Sequence, residues 1–145
     1  MDKIDREKLL EKVLDSEILR FLDIRIESAD ENKAVISMEV TPRVHQYIGI
    51  MNGGISLFLA ETAASIGAVL KSDLEKVAPV GIEINANHLR AVSKGKVTVE
   101  ASSLYHGKTI SVWQIEIKDE RQRLVCVSRC TIALRKGGAI IKNGS

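Results

Sequence analysis

A short segment of the chain combines a possible carbonyl-binding helix start with a single acid. Gly53 and Gly54 open a long apolar helical pattern, and Glu61 is the one acidic residue between positions 53 and 71. A helix N-terminus presents unpaired backbone N–H groups and the positive end of the helix dipole, which suit a carbonyl oxygen that gains negative charge. The glycines let a ligand approach that backbone closely. The segment therefore predicts a site that binds and polarises a carbonyl group beside a partly desolvated, reactive carboxylate. The alternative interpretation is a buried helix that carries a solvated glutamate.

Two polar residues near this pair could assist the chemistry. Ser65 follows Glu61 by four residues and so shares its helical face, where the hydroxyl can orient the carboxylate or a water molecule. Gln46, in the preceding loop, supplies a neutral donor and acceptor. The carboxylate can attack a carbonyl directly or deprotonate a water that attacks it, and the sequence leaves both routes open. Ser65 is alternatively a small residue that eases helix packing.

The elements that must position these residues follow from hydrophobic periodicity. Helical spacing predicts an amphipathic lead-in helix over 5–18 and a central helix over 54–71. Alternating apolar residues predict a strand over 33–40 and four more over 80–90, 96–104, 110–118 and 124–134. Turn-like separators at 93–95, 106–108 and 119–122 predict that these last four form an antiparallel meander. The result is an α+β arrangement in which a five-stranded antiparallel sheet wraps around one long helix.

Composition excludes several classes of function. The 145 residues carry a net charge of +2 without a basic stripe, and one Trp, two Tyr and two Phe offer few stacking surfaces, so nucleic acid is not an expected partner. The charged N-terminus does not resemble a signal peptide, and no apolar run approaches the roughly 20 residues of a membrane span. We expect no metal, because His45, His88 and His106 are widely spaced. Cys126 and Cys130 read as unpaired core residues of a cytoplasmic protein.

Three segments of the sequence resemble a known family. Residues 46–65, 81–90 and 112–117 are similar to the hotdog-fold acyl-CoA thioesterases, in particular the phenylacetate-type branch that includes 1,4-dihydroxy-2-naphthoyl-CoA and enterobactin-proofreading thioesterases. The resemblance implies a hotdog fold, an antiparallel sheet wrapped around one central helix. The length of the chain indicates one domain, which we place over 1–136 as a single hotdog thioesterase domain, and the composition of 137–145 predicts a flexible tail.

The resemblance implies a catalytic set in the first segment. The family site contains a Gln, a His-Gly-Gly, a Glu nine residues after the His, and a Ser or Thr four residues further on. The corresponding residues here are Gln46, Gly53 in the Gly-Gly pair, Glu61 and Ser65. Asn52 stands at the position of the family His. An amide keeps hydrogen-bonding capacity but has no titratable ring, which bears directly on the rate of hydrolysis.

The resemblance also implies two segments that hold the CoA part of an acyl-CoA substrate, partly from a neighbouring subunit. They comprise Gly81, His88, Leu89, Arg90, Ala91, Tyr105, His106, Gly107, Lys108 and Thr109. Arg90 and Lys108 suit phosphates, and a glycine turn lets backbone amides face them. His88 is alternatively a core or interface histidine, and His106 an exposed polar turn residue. No cofactor is expected apart from coenzyme A within the substrate.

The predicted sheet has edges that need a partner, so we expect a homo-oligomer. The resemblance implies a homotetramer, a dimer of dimers. The expected activity is hydrolysis of an acyl-CoA thioester. The alternatives are a non-hydrolytic acyl-CoA binding protein, favoured by Asn52, and a hotdog dehydratase or hydratase. The sequence leaves open whether the acyl group is aromatic, naphthoyl or fatty, and whether the thiol is CoA or a carrier protein.

Overall fold

The computed structural model describes residues 3–138 and contains one sheet and one long helix. The helices are α1 (Lys3–Leu14), α2 (Glu17–Phe21) and α3 (Gly53–Lys71), with a 3-10 turn at Pro42–Val44. The strands are β1 (Arg25–Ala29), β2 (Lys33–Val40), β3 (Val77–His88), β4 (Gly95–His106), β5 (Ile110–Lys118) and β6 (Leu124–Lys136). The α+β prediction with one central helix is confirmed. The predicted tail falls largely on residues 139–145, which lie outside the described residues.

The six strands form one antiparallel sheet in the order β1-β2-β4-β5-β6-β3. The predicted meander is therefore wrong for β3, which lies at the far edge beside β6 and not beside β4. The segment 93–95 is not a hairpin turn but the end of a connection that crosses from one side of the sheet to the other. β3 follows α3, which carries the chain across the sheet, and β6 offers a free edge for pairing there. The hairpins at 106–108 and 119–122 are confirmed.

Two N-terminal elements differ from the prediction. β1 is a sixth strand that hydrophobic periodicity did not reveal. Ile26 and Ala29 are its only half-buried residues, and they do not alternate along the strand because the pairing with β2 shifts register between Ile26 and Ser28. The lead-in helix is divided, since α1 ends at Leu14 and α2 begins after Ser16, a residue type that favours the start of a new helix.

The core lies between α3 and the concave face of the sheet. The helix buries mainly small residues, so its backbone can lie close to the strands. Gly67 is the tightest point, because a Cβ there would lie 2.3 Å from a ring carbon of the buried Trp113. Positions six residues apart on a helix point about 120° away from each other. With Gly67 against Trp113, Glu61 therefore points away from that contact, and its carboxylate lies beside Gly81 of β3.

The central helix has 19 residues and is apolar enough, by length and composition alone, to cross a membrane. Half of this apolar stretch is buried inside the protein, and the core helix of a compact domain commonly has this length and composition.

Candidate active site

The start of α3 is shaped by its capping residue. Asn52 is the N-cap, and its side-chain Oδ1 accepts the Gly54 N–H at 2.8 Å. The Asn52 carbonyl accepts the Ile55 N–H at 3.0 Å. Among the first-turn N–H groups, which have no partner within a helix, that of Gly54 is thus occupied by the cap. The Gly53 N–H is the next donor at this helix end, and Asn52 serves to fix the helix start.

The loop before the helix is held by a network of backbone hydrogen bonds. The Gln46 N–H donates to the Ile50 carbonyl, and the Gly49 N–H donates to the Gln46 carbonyl. Gly49 has a φ of +81°, a conformation that favours glycine. The side-chain Oε1 of Gln46 accepts the Ile48 N–H at 2.5 Å. The free capacity of the Gln46 amide is therefore mainly that of a donor.

A hollow of about 360 Å³ lies beside this helix start. It brings together four groups of predicted site residues: Gln46, Gly53, His88 and the segment 89–91. His88 lies against the helix end, since a Cβ on Gly53 would be 2.9 Å from its Nε2. The sequence did not identify the other lining residues, which are Ile50, Met51, Ser56, Val92 and Val125. Of these, Ser56 could have been identified from the sequence, because it follows Gly53 by three residues and so lies on the same face of the predicted helix.

Glu61 and Ser65 line a second, largely apolar groove of about 340 Å³. The groove lies between α3 and the two N-terminal helices, and its other lining residues are Val13, Leu19, Phe58, Thr62, Ile66 and Val69. Glu61 is half-buried and lies against β3, since its Oε1 is 2.1 Å from where a Cβ of Gly81 would be. Nothing in the sequence assigned Val13 or Leu19 to the site, because their position depends on how the N-terminal helices pack.

The predicted catalytic residues thus form two groups within one chain. Gln46, Asn52 and Gly53 lie at the start of α3, whereas Glu61 and Ser65 lie further along it. Eight residues separate Gly53 from Glu61, which corresponds to about 12 Å along a helix axis. One chain does not bring the Glu61 carboxylate to the Gly53 N–H.

The two predicted CoA-binding segments are also far apart within one chain. His88 pairs with Cys126 near the beginning of β6, whereas the Thr109 carbonyl accepts the N–H of Leu134 near its end. Eight strand residues span about 26 Å. Leu89, Arg90 and Ala91 are exposed at one end of the sheet, and Tyr105, Lys108 and Thr109 are exposed at the other.

His106 is less exposed than a turn residue would be. Its Nδ1 lies 2.9 Å from the Ser111 hydroxyl, which also accepts the Trp113 indole N–H at 2.8 Å. Burial lowers the pKa of His106, and the nearby charge of Lys71 lowers it further. Its neighbour Gly107 leaves room for Tyr105, because a Cβ there would lie 2.6 Å from the tyrosine hydroxyl.

Two other predicted features have plain structural roles. His45 Nε2 lies 2.7 Å from the Ser93 carbonyl and ties the loop to the β3–β4 connection. Cys126 and Cys130 are buried free thiols, and burial raises the pKa of Cys130 to about 12, with the charges of Glu61 and Glu83 contributing. Within residues 3–138, no three His, Cys, Asp or Glu residues gather as metal ligands would.

Comparisons with known proteins identify relatives of this chain. A family model described as "Thioesterase superfamily" matches residues 48–126. A 1,4-dihydroxy-2-naphthoyl-CoA hydrolase of Listeria monocytogenes is 47% identical over 115 residues, covering 79% of this chain and 93% of that protein. A protein of the same name from Escherichia coli is 42% identical over 114 residues, covering 79% and 83% of the two chains. The crystal structure of a mutant thioesterase from Pseudomonas aeruginosa superposes with a TM-score of 0.84 at 34% identity, covering 90% of this chain and 94% of that one.

Proposed function

The chain belongs to the thioesterase superfamily, and on that premise we propose that it hydrolyses the thioester of an aryl- or acyl-CoA to the free acid and CoA. The observation that carries the proposal is the start of α3, where Gly53, Gln46 and His88 border one hollow. Relatives named as 1,4-dihydroxy-2-naphthoyl-CoA hydrolases support an aryl-CoA substrate. The buried free thiols fit the proposed cytoplasmic location, a reducing compartment.

The helix start supplies the electrophilic half of the chemistry. The thioester oxygen accepts the Gly53 N–H and lies at the positive end of the helix dipole, with the Gln46 amide as a second donor. Both groups act most strongly when negative charge develops on that oxygen. His88 and Ser56 border the same hollow and restrict how the substrate enters.

Glu61 supplies the other half by one of two routes. As a nucleophile, a carboxylate oxygen bonds to the thioester carbon, the C–S bond breaks, and the CoA thiolate leaves and takes up a proton. Water then cleaves the resulting mixed anhydride. As a general base, Glu61 removes a proton from a water molecule that attacks the same carbon, the C–S bond then breaks, and the leaving CoA thiolate takes up that proton. Ser65, on the same helical face, orients the carboxylate or that water.

Both routes need Glu61 and a Gly53 N–H within reach of one carbonyl group, and a single chain separates them by about 12 Å. We therefore place the reaction between two subunits. β3 is an edge strand with exposed apolar side chains, Val80 at 41% and Ile82 at 61% exposure. An unpaired edge of this kind favours pairing with a second copy.

An antiparallel β3–β3 ladder has the register that the site requires. Gly81 lies beside Glu61, and His88 lies beside Gly53. If Gly81 faces His88 of the partner subunit, the Glu61 of one chain approaches the α3 start of the other. The centre of that ladder falls between Ile84 and Asn85, inside β3. Two-fold symmetry then gives two equivalent sites.

The same two-fold arrangement brings the separated CoA segments together. It places the β4–β5 hairpin of one subunit, with Lys108, at the end of the sheet where Arg90 of the other lies. The two side chains supply positive charge for the CoA phosphates. We propose this dimer as the minimal active unit, and a homotetramer of two such dimers from the resemblance.

The apolar groove beside Glu61 is the proposed acyl site. Its walls are aliphatic and aromatic side chains apart from Glu61, Thr62 and Ser65. An apolar acyl group therefore gains burial there without leaving polar groups unpaired. This surface favours aryl or medium-length alkyl acids over short polar ones.

Asn52 favours the second candidate function, an acyl-CoA binding protein without hydrolysis. Its side-chain oxygen caps α3 at Gly54, so at the family His position the residue fixes the helix and has no ring to titrate.

A panel of benzoyl-, 1,4-dihydroxy-2-naphthoyl-, phenylacetyl- and octanoyl-CoA separates the cases by release of free thiol. We expect release from the aryl esters. Calorimetric binding without release would establish the binder, and hydration of crotonyl-CoA would establish a hydratase.

Mixed subunits test the shared site. Glu61→Gln removes the acid, and Gly53→Pro removes the first N–H of α3, so each homodimer is expected to be inactive. In a mixed dimer one site carries both defects and the other carries neither. Random mixing of equal amounts is therefore expected to restore about a quarter of wild-type thiol release. Activity that stays at the level of the separate variants would contradict a site built from two chains.

A further inference from the structure

The Glu61 carboxylate occupies space that any side chain at position 81 would take. Its Oε1 lies 2.1 Å from the position of a Cβ on Gly81, and its Cδ lies 3.2 Å from it. We propose that Gly81 is a positioning residue: its missing side chain lets the Glu61 carboxylate lie against the backbone of β3, aimed across the subunit interface. This role differs from the CoA contact that the resemblance implies, and it rests on the proposed thioesterase function.

The backbone at position 81 does not itself call for glycine. The glycines with positive φ among the described residues are Gly49, Gly95, Gly137 and Gly138, and Gly81 is not among them. An alanine at 81 therefore has an accessible backbone conformation. The close contact at this position is with the Glu61 carboxylate, so a side chain there would displace that carboxylate.

The pairing of β3 with β6 changes at this point. Gly81 pairs with Ile132 and Glu83 pairs with Thr131, so Ile82 is left over as a bulge residue. Bulges redirect the side chains around them and occur beside active sites. Cys130 faces the interior from β6, and its raised pKa has a contribution from the Glu61 charge. The carboxylate therefore lies close to the junction of β3 and β6.

Rotation of α3 is opposed as a way to relieve a clash between Glu61 and a side chain at position 81. Gly67, on another face of α3, is pressed against the buried ring of Trp113. Any rotation of α3 would break this contact. A side chain at 81 therefore has to displace the Glu61 side chain itself.

The first test is Gly81→Ala, assayed with benzoyl-CoA. The carboxylate has to retreat from 2.1 Å to beyond 3.0 Å from the new Cβ. Misplacing a reacting group by about 1 Å can cost roughly 100-fold in rate. We expect kcat to fall by about that factor while KM stays within about threefold, because alanine keeps the backbone groups of residue 81 and leaves the side chains assigned to CoA in place. Ser102→Thr, which adds one methyl group to a residue of β4 opposite Gln114 and away from β3, serves as the control and is expected to leave kcat unchanged.

A double-mutant cycle with Glu61→Asp separates positioning from a general effect on the strand. Aspartate is one methylene shorter, so its carboxylate no longer reaches Gly81. We expect Gly81→Ala to cost about 100-fold beside Glu61 but less than about threefold beside Asp at position 61. An equal cost in both backgrounds would overturn the proposal, because a structural defect does not depend on the length of the acid.

The crystal structure of the Gly81→Ala variant gives a readout that is independent of activity. We expect the Glu61 carboxylate to be displaced by about 1 Å while the β3 backbone stays in place. A carboxylate that keeps its position, with β3 shifted instead, would overturn the positioning role. If wild-type protein releases thiol from no ester, the proposed function fails, and this structural comparison alone then decides the role of Gly81. Normal turnover in Gly81→Ala with active wild type would reject the positioning role and leave the thioesterase proposal standing.

Discussion

Glu61→Gln is expected to lower kcat for thiol release by at least about 100-fold while leaving acyl-CoA binding nearly intact. Glutamine has almost the same shape but can neither attack a carbonyl as a carboxylate nor take a proton from water. A general base alone contributes roughly 10²- to 10⁴-fold to a rate. The groove beside Glu61 keeps its apolar walls in the variant, so substrate burial is unchanged. Thiol-release kinetics and calorimetry with the same ester measure the two effects separately.

Glu83→Gln is the matched control for this change. Glu83 is an exposed acid on β3, and its carboxylate accepts hydrogen bonds from Asn85 at 2.9 and 3.2 Å. Its substitution removes the same charge close to Glu61 without touching the groove, and we expect near-normal turnover. If Glu61→Gln keeps more than about a tenth of wild-type kcat, then the acid does not perform the chemistry.

The central part of the fold could be predicted because its local patterns agree with its tertiary environment. The apolar spacing of α3 and the alternation in β5 both report burial against one face. The position of β3 could not be read in this way. Its sequence indicates a strand. The strand pairs with β6 because α3 carries the chain across the sheet to the free edge of β6. A turn-like Ser-Lys-Gly sequence cannot distinguish a hairpin from the end of a crossover.

The sequence proposes the residue types of the candidate site, whereas the division of these residues into two groups comes from the structure. Gly53, Glu61 and Gln46 stand out because their chemistry departs from their surroundings. That they lie in two hollows follows only from helix geometry and packing. The capping role of Asn52 could have been predicted, since asparagine is among the preferred residues directly before a helix.

One helix thus serves two sites in the proposed dimer. In that proposal the N-terminus of the helix polarises a carbonyl in one site, and its Glu61 acts in the other. Because both functions belong to one rigid element, the distance between the two sites is fixed by the fold. Gly67 lies against Trp113 and Gly81 against the Glu61 carboxylate, and we propose that these contacts set the rotation of the helix and the direction of its acid, respectively.

Gly53→Pro is expected to lower kcat by roughly 10²- to 10³-fold, the usual cost of losing one donor to a developing oxyanion. The substitution removes the N–H and is compatible with the helix. Gly53 is the first residue of α3, where proline is favoured. Asn52 has φ −60° and ψ 132°, the extended conformation that a residue before proline prefers. Thermal unfolding of the variant is expected to remain close to that of wild type.

Gly53→Ala is the control that isolates the N–H, because it adds a Cβ and keeps the donor. In both variants the Cβ would lie 2.9 Å from His88 Nε2, so both force this exposed ring to shift. Their difference in kcat on the same aryl-CoA therefore reports the loss of the N–H, together with the space that the proline Cδ takes beside it. We expect alanine to retain most of the activity that proline loses. Equal losses would mean that crowding of His88 causes the defect and that the thioester oxygen does not accept the Gly53 N–H. The carbonyl would then have to be polarised by another donor of the hollow, of which the Gln46 amide is the nearest in chemical type.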